Sequence, residues 1–334
     1  MGFSIETRKV QKTGGSSYIV SLPKVWIDKH RIQKNDTLGI LSQPDGNLLI
    51  TPQIDKEKAI KTKEILVDDY EDQNFLFRVL IGTYIMGFSR IVIKSSRKFE
   101  PLIRDTIINF TQIAVGPEIV EESNNLIVIK DLVDPREMPF EKTIRRMYIL
   151  VQGMHEDAIR ALETGDHNLA EEVIKRDDDV DRLHWLVGRQ SHIVLRDIIL
   201  CQKLGITLEQ ASHYQQISRF LERTADHAVR IAKNTILIEH KKVEKELLDG
   251  ISNASEVSLG LLNKSLDAWL QKNINLANEN IELIDSLIQA TEKISLNSTD
   301  NPETSIAIGY IIESIRRTGE YAGDISEIII NNLV

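Results

Sequence analysis

The sequence predicts a multidomain α+β protein whose last and largest part is all-α. Three changes of pattern along the chain support this prediction. Short alternating segments separated by turn residues fill residues 1–54, strands and helices mix over 55–136, and long patterns with a 3.6-residue period run through 137–334, where proline is less frequent. An alternating pattern is typical of strands and a 3.6-residue period of amphipathic helices. The length of 334 residues is also sufficient for two or three domains.

Composition places the chain among ordinary globular proteins and restricts its chemistry. Hydrophobic residues make up 42% and charged residues 27%. Cys201 is the single cysteine, so the chain has no internal disulfide and no Cys/His zinc finger, which fits a reducing compartment. The N-terminus lacks an apolar signal core, and the run at 79–88 is about half of the ~20 residues that cross a bilayer. We therefore expect a cytoplasmic protein without direct membrane insertion.

The first segment predicts a β-β-α-β-β order within residues 4–53. A helix begins at Pro23, and the strands are SIETRKVQ (4–11), YIVSLP (18–23), TLGILS (37–42) and LLITP (48–52), with turn residues at TGGSS (13–17) and QPDGN (43–47). So short a segment cannot bury an adequate core alone. Two copies that interlock their hairpins would bury more, so we expect a homodimer through this segment.

Charge is unevenly distributed along the chain. The net charge is −9, yet residues 1–34 contain seven Lys or Arg and two acids, an excess of +5. Such asymmetry indicates a segment that contacts phosphate. The alternative is that TGGSS is a flexible turn and the cations only solvate an exposed strand.

The basic first strand, the polar break, SLPK before a short helix and KNDTL before the second hairpin resemble the AbrB/MazE/SpoVT family over residues 3–53. The resemblance implies a swapped-hairpin β-barrel dimer that binds double-stranded DNA. The basic residues with which that family contacts DNA correspond here to Arg8, Lys9, Lys12, Lys24 and Arg31. Some members of that family use the fold mainly to pair with proteins, and this alternative remains open.

Residues 55–136 predict a small α/β linking domain. EILV (64–67) and RIVIKS (90–95) are strand-like, NFLFRVLIGTYIMGF (74–88) is apolar, and 98–113 is helical with Pro101 in its first turn. A hairpin is expected around Asn124–Asn125. No glycine-rich phosphate loop is present, so a structural role is favoured.

Residues 137–334 predict six helices in two related three-helix bundles. The helices are expected at 139–164, 167–201, 208–240, 244–272, 274–297 and 302–332. A weak internal repeat relates 158–170 to 265–277 and 221–232 to 315–326.

Two acidic pairs stand out in the first repeat. Asp177 and Asp181, and likewise Glu222 and Asp226, are four residues apart, so each pair lies on one helix face and repels. A hard metal ion would relieve this repulsion. The alternative is neutralisation by Arg182, Arg219, Arg223 and Arg230, which lie three or four residues from acids. His227 is expected to be hydrogen-bonded or solvated rather than a ligand.

LAEEVIKRDDDVDRL and RFLERTADHAVRIAKN resemble the PhoU family of phosphate-uptake regulators, over residues 138–334. The resemblance implies metal binding by Asp177, Asp181, Glu222 and Asp226, with a divalent or ferric ion. In the second repeat Arg316 and Glu320 replace the Glu222–Asp226 pair, and Ile281 precedes Asp285 by four, so at most one metal centre is expected.

Together the two resemblances imply an archaeal-type regulator of phosphate uptake that binds DNA and carries a PhoU-like sensor. Its partners would be DNA, a second copy, and a phosphate transporter ATPase or signalling proteins. The alternative is an accessory protein of the transporter whose first domain only dimerises. A carboxylate-bridged metal enzyme would need Glu-x-x-His motifs on inward faces, and none occurs, so we expect no enzyme.

Overall fold

A computed structural model describes residues 6–43, 46–52, 61–70, 72–134, 137–238, 243–294 and 302–334. The chain separates into two compact units, residues 1–59 and 60–334, and each is described by itself. The predicted boundary between residues 54 and 55 lies outside the described residues, as does residue 136 at the second predicted boundary. The division into three domains therefore stays a prediction.

The first unit has the predicted β-β-α-β-β order. It contains an antiparallel pair of β1 (Gln11–Thr13) with β2 (Ser17–Ile19), the helix α1 (Lys24–His30), and an antiparallel pair of β3 (Gly39–Ser42) with β4 (Leu48–Thr51). Residues 44 and 45 of the second predicted turn lie outside the described residues.

Two predicted boundaries in this unit are wrong. The first strand begins at Gln11, and the described residues 6–10 have no strand opposite them within the chain. Pro23 is the N-cap of α1 rather than its first residue, because its ψ of 126° is extended while its φ of −61° already suits a helix entry.

None of the described residues of the first unit is buried. Val25 is 75% exposed and Tyr18 is 70% exposed, and Val10, Ile40 and Leu48 are exposed to a similar degree. So many exposed large apolar side chains in one small unit indicate an interaction site. The unit alone therefore has no hydrophobic core among its described residues.

The second unit opens with a four-stranded mixed sheet and two helices. The elements are β5 (Thr62–Leu66), α2 (Gln73–Ile85), β6 (Arg90–Lys94), α3 (Pro101–Ile113), β7 (Pro117–Glu122) and β8 (Leu126–Asp131). The strand order is β5-β6-β8-β7, in which β5 and β6 are parallel and β8 is antiparallel to both β6 and β7. The predicted small α/β segment is confirmed.

Local sequence explains where these elements begin. Asp72 caps α2 by accepting a 3.0 Å hydrogen bond from the Asn74 N–H, and Pro101 stands in the first turn of α3, where a missing N–H costs nothing. The turn at Asn124–Asn125 is closed by a 2.7 Å bond from Ser123 N–H to Leu126 O. α2 and α3 cover one face of the sheet, with Tyr84 and Phe110 edge to face at 6.3 Å in the core.

The rest of the unit is helical. The helices are α4 (Phe140–Thr164), α5 (His167–Val194), α6 (Ile198–Lys203), α7 (Leu208–Leu237), α8 (Lys245–Gln271), α9 (Ile274–Glu282), α10 (Ile284–Glu292) and α11 (Pro302–Leu333). α4, α5 and α7 form one three-helix set, while α8, α9 with α10, and α11 form the other. One continuous apolar core runs through both sets, and α7 packs against α11. The predicted pair of three-helix repeats is confirmed.

Two predicted helices are interrupted. The second ends at Val194, and Asp197 caps the short α6 by accepting a bond from Leu200 N–H, so a local cap competes with continuation of the helix. The fifth breaks at Leu283, whose N–H bonds to Asn280 O three residues back. The predicted ends at 240 and 297 lie outside the described residues.

No helix in the described part of the chain is long and apolar enough to cross a membrane.

Helix α5 joins the helical region to the sheet. Trp185 meets Phe77 of α2 edge to face at 6.3 Å. Arg189, whose side chain is 4% exposed, donates to Asp131 Oδ2 at the end of β8. The same guanidinium donates to the carbonyls of Tyr84 and Phe88 at the end of α2. It thereby adds a charged donor at the C-terminal end of the helix, where Tyr84 O also accepts from the Gly87 N–H at 2.9 Å.

Two glycines set the spacing between α10 and α11. A Cβ on Gly319 would lie 2.1 Å from Leu287 Cδ2, and a Cβ on Gly323 would lie 2.1 Å from Ile284 Cδ1. Leu287 is fully buried, so it has little room to move. Gly309, ten residues earlier in α11, has nothing within 4 Å of such an atom.

We predict opposite effects of the same substitution at two positions of α11. Gly319→Ala should lower the free energy of unfolding by about 1–2 kcal/mol, because overpacking outweighs the gain in helix propensity. Gly309→Ala should raise it by about 0.5–1 kcal/mol. Denaturant unfolding followed by helical circular dichroism measures both, and a stabilising Gly319→Ala would contradict the close approach of the two helices.

Candidate cation-binding and nucleic-acid-binding sites

The structure brings the four predicted acids together. α5 carries Asp177 and Asp181, α7 carries Glu222 and Asp226, and the two helices pack against each other. Within each helix the acids are one turn apart and share a face. We call these four residues the acidic cluster.

Burial raises the pKa of every member of the acidic cluster, and repulsion by neighbouring carboxylates adds to the rise for Asp177, Asp181 and Glu222. The pKa of Asp181 rises to about 7 through burial, then through Asp177, Glu222 and Asp226. The pKa of Glu222 also rises to about 7, through burial and then Asp226 and Asp177, and that of Asp177 rises to about 6, through burial and then Asp226 and Asp178. Burial raises the pKa of Asp226 as well. Each helix therefore contributes to the repulsion felt on the other.

Within the residues that it describes, the structure does not contain the arginine ion pairs that the alternative requires to neutralise the acidic cluster. Arg182 lies 3.5 Å from Asp179 and not beside Asp178. Arg230 lies over the Tyr310 ring at 4.5 Å, and Arg223 lies 6.0 Å from the centre of Tyr321. Among the described residues, no Lys or Arg forms an ion pair with the acidic cluster. Lys233, Arg219 and Arg223 only moderate the raised pKa values from a distance.

The acidic cluster fits a hard cation by its chemistry. Carboxylate oxygens suit Mg²⁺, Ca²⁺, Mn²⁺ or iron, and a bound cation would remove the repulsion. However, within the described ranges no group of three or more His, Cys, Asp or Glu side chains is placed so that it could hold a metal ion. The two findings differ because repulsion acts over longer distances than coordination, which needs contacts of about 2–2.6 Å. Metal binding stays a prediction for these residues.

The second repeat neutralises its own acids. Arg316 Nη2 lies 2.7 Å from Glu313 Oε2, and its Nε lies 3.6 Å from Glu320 Oε1. Arg317 also pairs with Glu320. Asp285, the expected counterpart of Asp181, is exposed. The second repeat thus has an arginine, Arg316, at the position that Glu222 occupies in the first repeat.

His227 is half-buried, and its interpretation as a hydrogen-bonded or solvated residue rather than a ligand stays a prediction. Its Nδ1 is buried and has no hydrogen-bond partner among the described residues, and its ring lies 5.7 Å from that of Tyr321. Burial lowers its pKa to about 4, with Arg230 and Arg317 adding to the effect. The low pKa means that the imidazole is neutral at pH 7.

His155 is a buried histidine that the sequence did not predict. His155 in α4 is fully buried, its Nε2 lies 3.0 Å from Ser255 Oγ, and its Nδ1 has no partner among the described residues. Burial, and then His227, lower its pKa to about 4. The available signal was its place on the apolar face of α4, four residues after Val151.

The five predicted DNA-binding residues are all exposed in the first unit. Lys12 lies in β1 opposite Tyr18 of β2, and Lys24 and Arg31 stand at the two ends of α1. Arg8, in contrast, pairs with Glu6, so part of its charge is already compensated. Lys9 and Lys12 form no ion pair within the described part of the chain. Gly14, with φ of 64°, makes the turn between the two strands.

We predict that the acidic cluster makes stability fall with rising pH. These carboxyls titrate near 4 when unfolded, so between about pH 4 and pH 7 the folded state binds more protons. Asp181→Asn should therefore gain about 1–2 kcal/mol over the unmodified chain as pH rises through that window. The neutral histidines act in the opposite sense, and comparison with the unmodified chain cancels them. The exposed Asp249→Asn in α8 is the control, and equal slopes for both variants in urea unfolding would contradict the coupling.

Two family models match the chain. The PhoU domain matches residues 144–235, which include the whole acidic cluster. The model described as antidote-toxin recognition MazE, bacterial antitoxin, matches residues 11–58. The MazE match lies in the first compact unit and the PhoU match lies in the second, which is the order of the two resemblances along the sequence.

Known proteins agree with the first of these matches. The phosphate-specific transport system accessory protein PhoU homolog of Aquifex aeolicus is 31% identical over 160 residues, which are 48% of this chain and 68% of that protein. PhoU homolog 1 of Thermotoga maritima is 23% identical over 206 residues, 58% of this chain and 86% of that protein. The crystal structure of PhoU from Pseudomonas aeruginosa has the same helical fold, with a TM-score of 0.51 and 19% identity over 57% of this chain and 93% of its own. The chain belongs to the PhoU family and carries a MazE-like domain ahead of its PhoU domain.

Proposed function

We propose that the protein is a dimeric DNA-binding regulator of phosphate uptake. The observation that carries this proposal is the combination, in one chain, of a PhoU domain with a basic first unit that has no buried residue in its described part. The PhoU relatives are named as accessory proteins of phosphate-specific transport, which supports phosphate transport as the regulated process. The MazE-like unit supports dimerisation and contact with DNA.

Dimerisation is supported by the burial pattern of the first unit. Apolar side chains such as Tyr18 and Val25 are exposed in a single copy, and removing them from water would stabilise an assembly. A second copy of the chain is the natural occupant, since it offers the same apolar surface. Each protomer would bring the excess of +5 within residues 1–34 to the same assembly.

Contact with DNA is supported by the unpaired cations. Lys9 and Lys12 precede and enter β1, next to the Gly14 turn, and Lys24 begins α1. Lys and Arg side chains displace condensed counterions from the phosphate backbone, and this gives an affinity that falls steeply with salt. The glycines of this turn carry no side chain and would let backbone N–H groups approach phosphate oxygens.

Our proposed mechanism gives the PhoU domain the sensing role. A cation held by Asp177 and Asp181 together with Glu222 and Asp226 would supply positive charge between α5 and α7. The chain's own part is to place these carboxylates on two packed helices and to keep them partly out of water. α5 then continues to Arg189, so a change in its position reaches the sheet. A transporter ATPase or a signalling protein is the proposed partner of this domain.

DNA binding predicts a measurable salt dependence. Replacing Arg8, Lys9 and Lys12 with alanine should reduce the slope of log affinity against log salt by up to about 5 for a dimer, at about 0.9 per lost phosphate contact. Fluorescence anisotropy with a duplex oligonucleotide measures the slope. Replacing the exposed Lys142, Arg146 and Lys245 with alanine removes the same charge from helices and should leave the slope unchanged.

The main alternative is an accessory protein whose MazE-like unit only dimerises. The names of its PhoU relatives favour it. It predicts that the unmodified chain does not bind duplex DNA even at about 50 mM salt, a condition that strengthens electrostatic binding. That result, with a dimer still present by light scattering, would replace our proposal with this one.

Cation binding gives a separate prediction. Mn²⁺ should raise the melting temperature of the unmodified chain, since a ligand at about 100 times its dissociation constant stabilises by about 2.7 kcal/mol. Asp181→Asn should weaken Mn²⁺ binding by about 10–100-fold in calorimetry, because it removes a central carboxylate. Asp249→Asn should bind as the unmodified chain does. Equal Mn²⁺ affinity of the two variants would remove the acidic cluster from the mechanism and leave DNA binding untouched.

A further inference from the structure

A cavity of about 310 Å³ lies at one end of the helical region. It forms where α4 and α7 begin and where α8 and α11 end. Tyr214, on its wall, is eight residues before Glu222 in α7, about 12 Å along the helix, so the cavity is separate from the acidic cluster. The cavity is open to solvent on one side, where Glu141, Lys272 and Asn332 are exposed. Its volume is at the lower end of the range for ligand sites, which begins at about 300 Å³.

Three aromatic rings from three helices line this cavity. Phe140 and Tyr214 are stacked, with centroids 5.2 Å apart and planes at 15°. Trp269 meets Tyr214 edge to face at 6.0 Å and 86°. Such a wall presents ring faces and edges against which another flat ring stacks.

Two amide side chains on the cavity wall have their oxygen atoms in use. Gln210 Oε1 accepts from the Thr207 N–H at 3.0 Å, which leaves the Gln210 amide NH₂ as a donor. Asn332 Oδ1 accepts from His213 Nδ1 at 2.7 Å, which leaves the Asn332 NH₂ as a donor. Glu141 also lies on the wall, and its charge is paired with Arg145, whose Nη2 donates to Glu141 Oε1 at 2.9 Å. The two amides therefore offer N–H groups to a ligand that accepts hydrogen bonds.

Lys272 adds a positive charge at the same place. It ends α8 in the left-handed conformation, with φ of 51°, which fixes the base of its side chain at the cavity. In the part of the chain that the structure describes, it forms no ion pair. An ammonium group and two amide donors beside an aromatic wall are complementary to a flat ring that carries an anionic group.

We propose that this cavity binds a small planar aromatic anion of single-ring size. The ring packs against Tyr214 and Trp269, and the anionic group accepts hydrogen bonds from Lys272, Gln210 and Asn332. Because the cavity touches α4, α7, α8 and α11, its ligand contacts both three-helix sets of the PhoU domain at once.

The test compares three probes on the full chain by ligand-detected NMR titration. Benzoate is planar and anionic, benzamide is planar and neutral, and cyclohexanecarboxylate is anionic and not planar. Benzoate should bind with a dissociation constant of about 1 mM or below, at least about tenfold tighter than either of the others. Equal affinities for all three probes, or no benzoate binding at about 10 mM, would overturn the proposal.

Variants assign the contacts. Lys272→Gln should weaken benzoate about tenfold and leave benzamide unchanged. Lys245→Gln, which removes a lysine at the other end of α8, should change neither. Tyr214→Leu should weaken benzoate and Tyr214→Phe should not, because only the first removes the ring. If Tyr214→Leu fails to fold, Lys272→Gln against Lys245→Gln still decides, and equal benzoate affinity in that pair would overturn the proposal.

Discussion

The guanidinium of Arg189 is the interaction on which the second unit depends. It is almost fully removed from water and meets one carboxylate, Asp131, together with two carbonyls at the end of α2. A buried charge without such partners is strongly destabilising, so this arrangement tolerates little displacement. Arg196 and Lys61 also donate to Met86 O beside it. Three cationic side chains, Arg189, Arg196 and Lys61, thus lie at the end of α2, where carbonyl groups accept their hydrogen bonds and Asp131 pairs with Arg189.

Because Arg189 belongs to α5, one helix serves two regions. Its first half carries Asp177 and Asp181 against α7, and its second half carries Trp185 and Arg189 against the sheet. The two functions are about eight residues apart, or about 12 Å along a rigid element. Lys61, the first described residue of the second unit, donates to Met86 O at the same end of α2. Helix α5 therefore connects the acidic cluster to the part of the sheet region where the second unit begins.

Local signals in the sequence predicted most of the fold. Pro101 marked the first turn of α3, although the helix begins three residues later than the predicted residue 98. The Asn124–Asn125 turn indicated a hairpin, and the 3.6-residue period indicated the long helices. The four-residue spacing of acids also predicted which carboxylates would share a helix face. Contacts between distant residues escaped this reasoning. Arg189 pairs with a residue 58 positions away, and His155 meets Ser255 100 positions away. The aromatic wall likewise depends on three helices that only the folded chain brings together.

The exposed apolar surface of the first unit has a consequence for how much protein is needed. When a fold is completed only by association, its free energy contains a term in protomer concentration. If the first unit dimerises as we propose, its folded fraction rises with the abundance of the chain. The second unit encloses Leu80 and Ile315 fully within a single copy, so its core needs no partner to be buried. Expression level would then act on the N-terminal unit first.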